Sequence, residues 1–412
     1  MDLSVYIPLG FLGLARWICW LIRRLPATLY LPFRSEHREP ITVVVPVYQE
    51  DPAIFRIALE SWLANNVDEV VCVIDVTDKA CREIACSYQH GDTPNPGQYQ
   101  GDNPLRPKVT VISTTAPGKR PALVTGWRAA STSLVALVDS DTVWAPDVAE
   151  RVCEPFADPR IGGVGTRQNV WQPKGLWQRI TDMFLDYRYF DENAAQTRMG
   201  RAVSCLSGRT AVYRRALLLR YEAEFMDETF LGVPCNSGDD KRLTTLILEG
   251  GWATYMQRSA RVWSTFPPDA ATFFKQRLRW ARNTWRSDLR ALRRGWVFRH
   301  PFLAFSMVDK AVSSFTLLLS PTYMILALLR ADWSVALVLA LWWLVSRSAK
   351  VLPHLRRNPK NVLLVPAYVL ISFAMATVKL YALGTIRRQR WMTRSVAVVD
   401  GQVVRTNGEM VA

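Results

Sequence analysis

The chain has 412 residues, 51 Lys and Arg against 36 Asp and Glu, a formal net charge of +15 and 49% hydrophobic residues. That length supports one large domain or two small ones, and the charge calls for an anionic partner: acidic lipid headgroups, a nucleotide diphosphate or an acidic polymer, with nucleic acid the weaker reading. Seven cysteines without a C-x-x-C pair, beside only four His, argue against zinc and predict reduced thiols packed as small apolar side chains.

A mean hydropathy near zero hides two populations. Residues 40 to 260 mix charge with periodic apolar stretches, whereas 3 to 22 and 306 to 384 are overwhelmingly apolar, so part of the chain reads as soluble and part as membrane. Leu3 to Ile22 is about membrane length, preceded by Asp2 and followed by Arg23-Arg24. A cleaved signal has the opposite charge order, so this segment reads as an uncleaved span that leaves the following domain cytoplasmic.

From Ile41, short β-branched runs alternate with helical stretches: strands at 41–45, 70–74, 109–113 and 134–138, and helices at 52–65, 79–85 and 119–130. This alternation predicts βαβ units and a mostly parallel sheet, with a surface loop over 88–108. Ligands of such sheets gather at the carboxyl ends of strands, where Tyr48, Glu50, Asp75 and Asp139 fall. Residues 177 to 195 carry a helical apolar stripe that fits either a core helix or one lying on a membrane.

After Pro267-Pro268-Asp269, a stop and N-cap, Phe274, Leu278, Ala281, Trp285, Leu289, Leu292 and Trp296 recur at steps of three and four. Gln276, Arg279, Trp280 and Asn283 fall on the opposite side, giving one apolar face and one polar-aromatic face. Beyond it, 311–329 and 362–384 are long enough to span, and 331–346 spans if Arg347 and Lys350 snorkel. Three crossings would put Arg387, Arg388, Arg390 and Arg394 outside, against the positive-inside tendency; either the last segment, interrupted by Pro366 and Lys379, re-enters or splits, or the tail breaks the rule, and a cytoplasmic tail is the favoured reading.

Three clusters carry chemistry. Asp139-Ser140-Asp141, after a buried strand, sets two carboxylates to hold Mg²⁺ or Mn²⁺ on a diphosphate, unless they only cap a turn, as Asp147 nearby caps a helix. Gly238-Asp239-Asp240 opens a helix, 241–249, that stops at Gly250-Gly251. The helix dipole favours ionised carboxylates there, the form a general base needs, although capping alone accounts for one of the two. Trp280 beside Arg279 fits a sugar ring stacked next to a diphosphate, or else a core aromatic. Lys119 and Arg120, after Pro117-Gly118, supply cations near the crevice.

Taken in order, VVVPVYQE (43–50), PGKRPAL (117–123), VDSDT (138–142), CLSGRTAVYRR (205–215), SGDDKRLT (237–244), QRLRW (276–280) and RWMTR (390–394) resemble the motifs of processive family 2 glycosyltransferases, the hyaluronan synthases in particular. Cellulose synthase-like and capsular polysaccharide synthases share them. The resemblance implies a GT-A, Rossmann-like α/β catalytic domain in the cytoplasm, with interfacial amphipathic helices and a transmembrane α-helical region. It implies inverting transfer from a UDP-sugar to a growing polysaccharide, secreted by the same polypeptide across the plasma (inner) membrane. Tyr48, Glu50, Asp75, Lys119, Arg120, Asp139, Gln276 and Arg279 would bind nucleotide, and Asp139 and Asp141 the Mg²⁺ or Mn²⁺. Asp240, with Asp239 and Asp141, would be catalytic; Trp280, Ser207 and Gly208 would bind acceptor. Val76 stands where the family often has a second Asp, and Arg209 where animal hyaluronan synthases have Pro.

The implied organisation is an N-terminal transmembrane helix (1–24), a glycosyltransferase domain (40–265), an interfacial helix (266–300), a C-terminal transmembrane region (301–386) and a cytoplasmic tail (387–412). Two rivals share these motifs: a non-processive transferase acting on a lipid carrier, and a noncatalytic polymer-export subunit. Oligomeric state is not legible in the sequence.

Overall fold

The computed structural model describes residues 11–89, 107–388, 396–399 and 402–405. The start of the expected first span, most of the 88–108 loop and the 390–394 motif lie outside the described residues. Helix α1 (Gly13–Thr28) precedes the alternating region, whose elements are β1 (Ile41–Val47), α2 (Pro52–Leu63), β2 (Glu69–Asp75), α3 (Lys79–Gln89), β3 (Lys108–Thr114), α4 (Lys119–Ala129) and β4 (Leu134–Val138). Then come β5 (Val143–Trp144), α5 (Val148–Cys153), β6 (Ile161–Val170), α6 (Gly175–Tyr187), α7 (Asn193–Gly200), β7 (Thr210–Arg214), α8 (Arg215–Arg220) and α9 (Glu222–Met226). A hairpin of β8 (Thr229–Phe230) and β9 (Val233–Pro234) leads to α10 (Asp239–Glu249) and β10 (Ala253–Ser264). The last third is α11 (Ala270–Arg294), α12 (Pro301–Leu329), α13 (Trp333–Lys350), α14 (Leu352–Arg357) and α15 (Val365–Gly384), followed by the antiparallel pair β11 (Val396–Val399) and β12 (Gln402–Arg405).

Two compact units result. The sheet unit holds residues 31–171 and 201–265, and the helical unit holds 1–30, 172–200 and 266–388. Residues 172–200, inside the 40–265 range of the expected globular domain, therefore group with the helices.

In the sheet unit, eight strands run in the order β3-β2-β1-β4-β7-β6-β10-β5. The first four pair in parallel as the alternation predicts, and β6 and β10 also pair in parallel. Strand β7 departs, lying antiparallel between β4 and β6. The apolar runs Val43–Val45, Val70–Ile74 and Leu134–Val138 are buried, as strands covered on both faces should be. Helix α2 starts where Asp51 accepts the Ala53 amide at 2.8 Å and Pro52 takes a position whose amide would lack a helical partner. Fully buried Trp62 anchors it, its indole N–H donating to the Thr142 carbonyl at 2.8 Å. Helix α4 lies so close to β1 that only Gly fits at 126: an added Cβ would stand 2.2 Å from Val44 Cγ1. Asp147 does precede α5, but its carboxylate pairs with Arg151 instead of capping.

In the helical unit, the stripe expected over 177–195 is broken. Helix α6 ends at Tyr187, a wider π turn spans 188–192, and α7 resumes at Asn193. Ile180, Met183, Phe273, Val365, Tyr368 and Phe373 share one apolar cluster. Among the described residues, two helical stretches, 301–329 and 359–384, are long and apolar enough to cross a membrane. Asp269 caps α11 as expected, accepting the Thr272 amide at 2.9 Å. Both of its faces are partly covered. On the polar face Gln276 and Asn283 are buried and Arg279 and Trp280 half-buried; on the apolar stripe Ala281 and Trp296 are buried, Phe274, Leu278, Trp285 and Leu292 half-buried, and Leu289 exposed.

Candidate functional site

The strand order β2-β1-β4 aligns three carboxyl ends at one edge of the sheet, and with them Asp75, Tyr48 with Glu50, and Asp139. Asp75 is buried and accepts from the Thr77 amide at 3.0 Å and hydroxyl at 2.6 Å. Glu50 accepts from the Ser140 hydroxyl at 2.6 Å, which ties the loop after β1 to the loop after β4. Asp78, which the sequence reading passed over, accepts the Glu50 amide at 3.2 Å and caps the start of α3 through Cys81 at 3.3 Å. Its spacing before Lys79 is an N-cap signal that could have found it.

At the centre stands Lys119. Gly118, at φ 105°, turns the chain into α4 in a conformation that side-chain-bearing residues avoid, and so delivers Lys119 as the first helical residue. Its ammonium meets Asp139 Oδ1 at 2.6 Å and Asp239 Oδ2 at 3.0 Å. The two acidic clusters thus share one cation. Burial disfavours charge on Lys119, but the two carboxylates outweigh it and raise its pKa. The reciprocal balance holds at Asp239, where burial pushes up, Lys119 pulls down, and the carboxyl ends below its ordinary range.

Helix α10 begins at left-handed Gly238 (φ 85°), placing both Asp239 and Asp240 in its first turn. They differ: Asp239 is buried against Lys119, whereas Asp240 is half-exposed. Asp240 Oδ2 lies 3.4 Å from the Gly208 amide and 3.6 Å from Cys205 Sγ. Gly208 packs closely against the same cation. A Cβ there would stand 3.1 Å from Lys119 Nζ and 3.5 Å from Asp239 Oδ2. Its neighbour Ser207 is buried.

Asp141 accepts from the Thr265 amide at 3.1 Å and from the Thr265 hydroxyl, so the end of β10 orients it. Carboxylate oxygens on Asp139 and Asp141, two residues apart after β4, are the hard-oxygen donor set that Mg²⁺ or Mn²⁺ takes, and the residues fit such an ion. Arg120 is placed differently from its expected nucleotide contact. It is buried, bound to Glu228 at 2.5 Å and to the Phe225 carbonyl at 2.7 Å, where it serves as a structural cation.

Gln276, Arg279 and Trp280 lie on α11 in the helical unit. Gln276 Oε1 is buried with no hydrogen-bond partner among the described residues. The Arg277 guanidinium lies over the rings of both Trp280 and Phe273, 4.7 and 4.8 Å from their centres. That stacking is more than the sequence motif announces, since Arg277 falls between its named positions.

Residues 37–283 match the family described as glycosyltransferase like family 2. Among similar proteins, an N-acetylglucosaminyltransferase of Mesorhizobium japonicum is 29% identical over 90% of this chain and 86% of its own length. One of Rhizobium meliloti is 29% identical over 90% and 84%. A type 2 glycosyltransferase of Gibberella zeae is 26% identical over 86% and 68%. The solved mannosyltransferase of Pyrobaculum calidifontis, in complex with GDP-Man and Mn²⁺, superposes with a TM-score of 0.59 at 19% identity, covering 93% of this chain and 98% of that one. These likenesses support the family and the GT-A-like fold expected from the sequence, without singling out hyaluronan synthase.

Proposed function

Because the chain belongs to glycosyltransferase family 2, we propose that it transfers N-acetylglucosamine, with inversion, from UDP-N-acetylglucosamine to a hydroxyl at the end of a growing glycan. The sugar follows the names of the similar rhizobial proteins and replaces the hyaluronan-type donor set implied by the motifs alone. The observation that carries the chemistry is the division of labour in one helix turn: Asp239 neutralised by Lys119, Asp240 open beside Gly208.

Asp240 takes the acceptor hydroxyl proton, the hydroxyl oxygen attacks the anomeric carbon from the face opposite the diphosphate, and the bond to the β-phosphate oxygen breaks. Lys119, held as a cation by its carboxylates, counters charge on the departing diphosphate. Asp139 and Asp141 would hold Mg²⁺ or Mn²⁺, which supplies further charge neutralisation there. Tyr48, Glu50 and Asp75 line the nucleotide end of the sheet edge. Gln276, Arg279 and Trp280, on α11, have the donor and acceptor roles that the motif resemblance implies. The reaction is processive, and the long apolar helices lie in the plasma membrane. The two long apolar helices among the described residues support this placement.

Purified protein is given UDP-sugars singly and in pairs with Mg²⁺ or Mn²⁺. UDP release and product length are read, and linkage-specific hydrolases type the product. UDP-N-acetylglucosamine is expected to give multi-sugar products. Asp240→Asn should lower turnover by roughly 10²–10⁴-fold while donor binding persists. Full activity of Asp240→Asn would remove the proposed base; a product of single-sugar size would remove processivity.

A further inference from the structure

The helical unit encloses a cavity of about 400 Å³ whose charge is lopsided. Eight basic side chains line it, among them Arg16, Arg23, Lys310, Arg347, Lys350 and Lys379, against a single lining carboxylate, Glu192. Internal pairing accounts for part of this: Arg16 and Arg23 share Asp309, and Lys310 Nζ meets Glu192 at 2.8 Å. Arg347, Lys350 and Lys379 have no ion pair among the described residues; Lys350 lies only over the Trp17 ring, 5.9 Å from its centre. Charges withdrawn from water without a counter-ion are costly, and more so among helices embedded in hydrocarbon. A binding site for an anion relieves that cost.

The rest of the lining is amphipathic. Hydroxyls of Ser313, Ser320, Ser346 and Ser372 mix with apolar side chains, and Leu12, Leu319 and Trp342 reach from the cavity to the exposed surface. We propose that this cavity binds the phosphate of a lipid, its hydrocarbon lying along the exposed apolar side chains. A chain of N-acetylglucosamine is neutral and would leave the basic excess unbalanced. The inference rests on the membrane placement of the long apolar helices proposed above.

The test uses the full chain. Flotation with phosphatidylcholine vesicles first checks membrane association, and its failure overturns both the placement and the lipid site. In detergent, binding of farnesyl phosphate and of phosphatidylglycerol is then titrated against farnesol and phosphatidylcholine. Saturable binding of one or both phosphates supports the site and identifies a phosphomonoester or a phospholipid as its source. At roughly fivefold per cation, Arg347→Gln with Lys379→Gln should weaken it about 25-fold. Arg347→Lys with Lys379→Arg should retain it. Arg356→Gln with Lys360→Gln removes the same charge from exposed positions outside the lining and should change little. Equal binding of farnesol, equal loss in the exposed pair, or flotation without saturable phosphate binding overturns the lipid site and leaves the transfer reaction standing.

Discussion

Replacing Lys119 with Met keeps the volume of the side chain and removes the charge that Asp139 and Asp239 share. At 3.0 Å and an effective dielectric near 20, the Lys119–Asp239 attraction is about 5 kcal/mol before desolvation is subtracted. The side chains of Lys119, Asp139 and Asp239 retain 20%, 31% and 12% of their exposure, so solvent competes, and a net loss of about 2 kcal/mol is expected. For a unit of this size that corresponds to a fall in Tm of about 4–8 °C. The pH dependence is diagnostic. In the native protein the lowered pKa of Asp239 contributes stability that is present above the ordinary carboxylate range and lost as pH falls through the folded value. Without Lys119, burial is opposed only by Arg120 and a backbone hydrogen bond, so that pKa rises, and the ionised carboxylate destabilises the variant at neutral pH and is relieved by acid. The deficit, followed by thermal unfolding in detergent from pH 4 to 8, should be largest at neutral pH and shrink toward pH 4. A deficit equal at both ends would refute the electrostatic account and leave only packing.

Three further outcomes follow from the same geometry. Arg120→Met strands buried Glu228 and should cost about 3–5 kcal/mol; in denaturant titrations, Arg120→Met with Glu228→Met should recover much of that. Gly126→Ala forces a methyl group into Val44 and should cost about 1–3 kcal/mol, with Val44→Ala restoring part of it. Chelation should abolish UDP release by the native enzyme, and Asp139→Asn or Asp141→Asn should raise the Mn²⁺ concentration needed to restore it, measured by metal titration.

The elements up to Val138 were legible because β-branched runs and helical stretches alternate cleanly and Asp51-Pro52 punctuates a start. Strand β7 was not, since TAVYR carries no mark of its direction, which is set by pairing between β4 and β6. Periodicity located both faces of α11 but cannot say which one meets protein: an amphipathic helix looks alike whether its apolar side faces a core or a membrane. The carboxylates were legible from strand ends and helix starts. Their distribution of labour was not, because Lys119 reaches Asp239 from 120 positions earlier. Arg120 was misplaced for the same reason, its partner Glu228 standing 108 residues away.

The place of β7 in the sheet also bears on how the chain is made. Strand β4 is complete by residue 138, yet its outer neighbour begins only at Thr210. Between them the ribosome emits residues 172–200, which end in the other unit. A nascent chain therefore carries an apolar central strand with one hydrogen-bonding edge bare for some seventy residues of synthesis, several seconds at common elongation rates. During that interval it is a template for unwanted strand pairing, until Thr210–Arg214 covers the edge.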